Sequence, residues 1–267
     1  MLGFDDSDRS VSWAKTPANE IREIGSQDGS VLVVPVGSVE QHGYHLPVGT
    51  DTMLATAVSG ASAEAVADDL PVLVTPPIWC GYSPHHRSLG GTLTAAFDQL
   101  LAHTQSIVEA GLANGFDAVV LVNGHGGNRA LVGAVVSEVG YANPDHQVLG
   151  FTYFDLAADL VEEVRESDLG GMAHGGEFET SLVLHLDPAL VDQDAMDAEP
   201  FDEPYDLGDE DLVKPGPLGV YRPFEAYSES GAIGAPERAS EEKGEVLFEF
   251  LTDEIADLFE EIHAQNR

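Results

Sequence analysis

Basic residues and cysteine are what this sequence has least of. Its 267 residues include 11 Lys+Arg against 47 Asp+Glu, a formal net charge of −36, and lysine occurs only as Lys15, Lys214 and Lys243. A polyanion of that size is repelled by nucleic-acid phosphates and by anionic lipid, so neither is an expected partner. Cys80 is the single cysteine, which rules out an intrachain disulfide framework and a thiolate metal cluster. No apolar stretch approaches the ~18–20 residues of a membrane helix. The start, MLGFDDSDRS, is acidic and lacks the basic flank and apolar run of a leader. A hydrophobic fraction of 43% is that of a globular protein, and a soluble, cytoplasmic chain is expected. Acid-rich, lysine-poor sequences suit concentrated salt, where the screening length falls to a few ångströms. A halophilic, archaeal source is therefore expected, with most carboxylates read as solvated surface.

Short apolar runs alternate with segments of helical spacing. Residues 31–36 (VLVVPV) and 118–122 (AVVLV) read as buried strands, and 71–75 (PVLVT) and 147–153 (QVLGFTY) as two further strands. Helices are expected at about 50–69, 97–114, 129–139, 179–186 and 240–263, the last amphipathic and capped by Ser240. Continuously apolar strands separated by helices specify an α/β fold: a three-layer αβα sandwich with a mostly parallel central sheet. No repeat or linker interrupts the chain, so one domain over 1–267 is expected. Residues 191–213, acidic and punctuated by proline, read as a surface excursion.

Ligand-type side chains gather where the strands stop, the edge at which loops of a parallel sheet converge. Glu40 and His42 follow the first strand and, two apart in extended backbone, can face one point. Asp51 opens the next helix, and His125 stands among glycines after the third strand. His174, Glu177 and Glu179 follow the fourth. Each fragment alone has a commoner structural role. Asp51 is a helix cap by default, the 123–128 loop is ordinary turn chemistry, and carboxylates favour helix N-termini. Their joint occurrence at successive strand ends points instead to a metal site of imidazoles and carboxylates, which suits zinc, manganese or iron(II).

Three segments carry a resemblance. Gly37-Ser38-Val39-Glu40-Gln41-His42-Gly43, with His45-Leu46-Pro47 and Thr50-Asp51-Thr52, resembles the first signature of the creatininase (creatinine amidohydrolase) family. Asn123-Gly124-His125-Gly126-Gly127-Asn128 resembles the second, and His174-Gly175-Gly176-Glu177-Phe178-Glu179-Thr180-Ser181 the third. The 82–86 and 91–93 loop and residues 231–240 are lesser matches, so the resemblance spans about residues 30–245. It implies an αβα fold, a homo-oligomer (a hexamer) and two divalent ions, Zn²⁺ first, with Mn²⁺ or Fe²⁺ also suitable. It also implies hydrolysis of a non-peptide or cyclic C–N amide bond by water activated between the metals. Carried over, Glu40, His42, Asp51 and His125 are metal ligands, with Asp51 bridging. In creatininase a glutamate two positions after the second-signature histidine completes the set; here Gly127 stands there. Glu177 is the expected replacement and Glu179 its rival. His174 and Glu179 match residues beside the substrate, as a proton-transfer group and the group orienting it. Tyr82, His85, His86 and Gly126 are candidate substrate contacts.

Creatininase encloses its ring with tryptophans between the second and third signatures, and this chain has none there. A small amide or short peptide is the expected substrate. Other family branches compatible with the motifs are the peptidase trimming the mycofactocin precursor peptide and the archaeal formamidopyrimidine deformylase. A creatininase-like scaffold without catalysis is the non-enzyme alternative.

Overall fold

The computed structural model describes residues 10–267. Residues 1–9, most of the stretch read as lacking a leader, lie outside them. The four apolar runs form strands β1 (Val31–Val36), β2 (Val72–Val74), β3 (Ala118–Asn123) and β4 (Gln147–Thr152). They make one sheet in the order β2-β1-β3-β4, with every neighbouring pair parallel. The helices are α1 (Ala18–Gly25), α2 (Thr50–Val66), α3 (Phe97–Ala113), α4 (Arg129–Ala142), the single turn α5 (Val161–Val164), α6 (Glu177–Leu186) and α7 (Glu241–Gln265). Helix α1 has no counterpart in the sequence reading, because Ile21 and Ile24 are its only large apolar residues, too few to register a 3.6-residue period. Helix α7 starts at the expected cap: Lys243 N donates to Ser240 Oγ at 3.2 Å.

A strand points successive side chains to opposite faces, and both faces here are covered. Val31, Val33, Val120 and Val122 pack with Leu54 and Val58 of α2, Leu182 of α6 and Leu247, Leu251 and Phe259 of α7. Leu32, Val34, Val119 and Leu121 pack with Ile21 of α1, Leu100 and Val108 of α3 and Leu131 and Val135 of α4. The expected αβα sandwich is thus the observed one. No helix among the described residues is long and apolar enough to cross a membrane.

The connections locate a crevice. From β1 the chain passes through α2 to β2, then through α3 to β3 on the opposite side of β1. The loops leaving β1 and β3 diverge there, at the topological switch point where open α/β sheets bind ligands.

The acidic run at 191–213 does more than lie in solvent. Val191 and Val213 are buried, and buried Asp211 meets Arg165 Nη1 at 2.7 Å. Glu199 accepts from Glu229 N (2.8 Å) and Ser230 Oγ (3.0 Å). Such pairing offsets the desolvation that made burial of this run look costly. The following chain, to Tyr227, lies over the switch point and forms one wall of its crevice.

Candidate metal centre

Glu40 and His42, in the loop after β1, meet Asp51 from the first turn of α2 and His125 from the loop after β3. His125 Nδ1 lies 3.2 Å from both Glu40 Oε2 and Asp51 Oδ2. The other oxygen of Asp51, Oδ1, lies 3.0 Å from His42 Nε2, which is 3.8 Å from Glu179 Oε1. Asp51 therefore belongs to two sets of converging ligand atoms, Glu40–Asp51–His125 and His42–Asp51–Glu179, each set within 4.8 Å. A third set is Glu40, His42 and His174. Glu40, His42, Asp51, His125 and Glu179 are all at most 4% exposed.

Backbone and hydroxyl groups fix which imidazole atoms face the centre. His42 Nδ1 donates to the Glu40 carbonyl (3.0 Å), leaving Nε2 inward. His125 Nε2 faces the Tyr82 carbonyl (3.2 Å) and Ser83 Oγ (3.0 Å), leaving Nδ1 inward. His174 Nε2 donates to the Gln41 carbonyl at 2.7 Å. Partners of this kind set the tautomer and aim of metal-binding histidines. The asparagines of the second signature brace the loops: Asn123 Nδ2 donates to the His125 carbonyl (2.7 Å), and Asn128 bridges Gly37 O (3.0 Å) and Tyr82 N (2.9 Å).

The donor set fits divalent cations. Both oxygens of Glu40 and Oδ2 of Asp51 are buried without a well-aligned hydrogen bond, each facing an imidazole nitrogen at 3.2 Å, which leaves lone pairs on buried carboxylates free to meet a cation. Three carboxylates and two inward imidazole nitrogens, with no thiolate, suit ions such as zinc or manganese.

Charge coupling inside the cluster is strong. Burial alone would push Glu40 and Asp51 up, but the adjoining imidazoles hold both below the usual carboxylate range. Burial would lower His42 and His125, but the facing carboxylates raise both, His125 to about 10. His174 and His86 go the other way: burial, with like charge from neighbouring imidazoles, keeps them neutral. For the metal-free protein the sign follows. The raised histidines stabilise the fold fully below their ordinary pKa of 6.5, and that stabilisation is lost up to about pH 10. A chelated sample is expected to melt progressively lower across that alkaline window. A flat melting temperature across it would refute the coupling.

The structure corrects two expectations. Glu177 does not reach the ligand cluster. Its Oε1 meets Lys243 Nζ (2.5 Å) and accepts from Glu166 N (2.9 Å), while Oε2 accepts from Ser167 N (3.0 Å). Both oxygens are thus spent on tying α6 to α7 and to the preceding loop. Glu179 points inward instead, one oxygen held by Gly175 N (2.7 Å) and the other facing His42. Glu179 was also expected to orient His174, but the Gln41 carbonyl does so. Gly127 has a steric reason to be glycine, since a Cβ there would press on His125 Nε2 and come 2.6 Å from the Tyr82 carbonyl.

Tyr82, His85, His86 and Gly126 line one crevice of about 360 Å³ with Glu40, His125 and His174. Gln41 and Phe224 were missed by sequence reasoning. Gln41 donates to His86 Nδ1 at 2.7 Å, and His86 Nε2 lies 3.2 Å from Glu40. The only sequence signal for Gln41 was its place between two ligands; Phe224, in an aperiodic stretch, gave none. A larger cavity of about 590 Å³, between Trp13, Trp79 and α3, contains none of the clustered ligands.

A parallel sheet whose switch point gathers two overlapping sets of buried carboxylates and imidazoles is an α/β protein with a candidate metal centre. Comparison with known proteins narrows this. The creatinine amidohydrolase (creatininase) family model matches residues 14–259, and the chain belongs to that family, whose hydrolases act on C–N amide bonds. It is 33% identical over 255 residues to the mycofactocin precursor peptide peptidase of Mycobacterium tuberculosis, covering 88% of this chain and 89% of the relative. It is also 33% identical over 248 residues to the creatinine amidohydrolase of Pseudomonas putida, covering 86% and 89%. The solved manganese form of creatininase superposes with a TM-score of 0.79 at 30% identity, over 94% of this chain and 98% of that one.

Proposed function

We propose that the protein is a two-metal amidohydrolase that cleaves a C–N amide bond in a small molecule or short peptide. The observation that carries this is Asp51, whose two buried oxygens face different ligand sets. In this reading Glu40, His125 and Asp51 hold one ion, and His42, Glu179 and Asp51 hold the other. Zinc or manganese is the favoured occupant. The charges balance: three carboxylates and one hydroxide offset two dications. Divalent ions there would polarise the scissile carbonyl and lower the pKa of the attacking water.

The chain's own groups do the rest. His174 is neutral, with Nε2–H tied to Gln41 and Nδ1 3.7 Å from Glu40 Oε1 on the crevice side. Its Nδ1 can take the proton released as water adds to the carbonyl carbon and deliver it to the nitrogen as the C–N bond breaks. His85 and Tyr82 form the wall above His125. No tryptophan lines this crevice, so an open peptide-like amide suits it better than an enclosed creatinine ring. A formamide is the remaining alternative.

The assembly is a homo-oligomer in this proposal, for which exposed Val48, Trp79 and Leu93 in adjoining loops offer an apolar face to a second copy. The setting is a cytoplasm of high salt in this proposal, a reading that the acidic composition supports.

The test is a panel of amides, lactams, formamides and short peptides in concentrated KCl, with chelated protein reloaded with Zn²⁺ or Mn²⁺. Turnover of at least one class, abolished by chelation and restored by metal, is expected. Stoichiometric metal with no turnover across the panel would favour a scaffold without catalysis.

A further inference from the structure

We propose that Arg222 selects substrates that carry an anionic group, carboxylate or phosphate, beyond the scissile amide. This deepens the amidohydrolase reading above and rests on it. A run of ring contacts leads from the metal centre to this side chain. Phe224 packs on His86 and His174, with ring centroids 4.1 and 4.8 Å away. Tyr227 lies 5.9 Å from Phe224, and the Arg222 guanidinium sits 4.4 Å over the Tyr227 ring. Arg222 lines the same 360 Å³ crevice as Glu40, His125 and His174. Phe224 and Tyr227 thus stand between Arg222 and the imidazoles of the centre.

The neighbouring acids are otherwise engaged. Asp211 is paired with Arg165 (2.7 Å), Asp209 accepts from Gly216 N (2.8 Å), and Glu203 accepts from Tyr205 N (3.3 Å) and the Tyr227 hydroxyl (3.3 Å). Arg222 donates at 3.4 Å to the Ala226 carbonyl and also engages the Tyr227 hydroxyl, which leaves the rest of its fork of N–H donors for an anion. Its place 4.4 Å over the Tyr227 ring restrains the side chain, so less ordering is needed on binding. In a protein of charge −36, a stray anion is repelled from the crevice unless a local cation receives it. Leu218 and Val220 flank the approach, so the segment between amide and anion is expected to be apolar.

The experiment measures binding to chelated, full-length protein by calorimetry in 1 M KCl. The probes are N-acetyl-glycyl-phenylalanine, its C-terminal amide, and N-acetyl-phosphoserine amide. At least one anionic probe should bind about tenfold tighter than the neutral amide. The preference should vanish in Arg222→Met and return in part in Arg222→Lys, while Tyr227→Leu weakens it. The anionic arms separate carboxylate from phosphate. Equal binding of all three probes by the wild type, or an unchanged preference in Arg222→Met, would overturn the assignment. Because this readout needs no turnover, the two readings fail separately. An intact preference with no amide hydrolysed after metal loading would sink only the hydrolase reading.

Discussion

Glu179→Gln is expected to leave one divalent ion where two are proposed for the wild type, and to lower kcat/KM by at least about a thousandfold. Glu177→Gln is expected to keep both ions. The two glutamates are neighbours in the third signature, yet their surroundings differ in kind. Glu179 presents Oε1 to His42 Nε2 across 3.8 Å, beside Asp51. An amide there would still accept from Gly175 N through its oxygen, turning a poor NH₂ ligand toward His42. That set would be reduced to His42 and one oxygen of Asp51, too few to retain an ion in competition with water. Glu177, itself buried, instead neutralises the largely covered Lys243 at 2.5 Å. Its replacement should lower the melting temperature by several degrees, as expected for about 1–3 kcal/mol in a chain this long. Elemental analysis and melting curves of the two variants decide the matter. A Glu179→Gln protein holding both ions would remove Glu179 from the ligand set.

What could be read from the sequence follows from periodicity. Continuously apolar strands such as 118–122 can only be buried on both faces, and this specifies the αβα layers. Glu40 and His42 could be paired because extended backbone repeats every two residues. The choice between Glu177 and Glu179 was illegible for the converse reason. On a helix, residues two apart diverge by about 200°, so one of them must turn away, but every residue from Glu177 to Leu184 is buried. Without a polar face, the phase of α6 cannot be deduced. The wall at 199–227 was hidden differently: it has no period, and its acids are satisfied by long-range partners, as Asp211 is by Arg165, that composition cannot reveal.

The melting temperature of the wild type is expected to rise by on the order of ten degrees or more between 0.1 and 2 M KCl. Helix α7 shows why. Glu241, Glu245, Glu249, Asp253, Asp257 and Glu261 are all exposed and follow one another at four-residue intervals along it. Each i,i+4 pair of like charges costs about 0.2–0.5 kcal/mol at low salt. The opposite face of the same helix supplies Leu247, Leu251, Ile255 and Phe259 to the core under the sheet. Lys243, near its start, holds Glu177 at the foot of the metal centre. Repulsion along the outer face therefore works directly against the packing that supports the site. At 0.1 M salt the screening length of about 10 Å exceeds the roughly 6 Å between successive carboxylates, and near 1 M it falls to about 3 Å. Glu249→Lys combined with Asp257→Lys should convert four of these repulsions into attractions, raising the melting temperature at 0.1 M KCl more than at 2 M. A wild-type melting temperature that does not move with KCl would show that the acidic surface carries no stability penalty, and would remove the case for a high-salt setting.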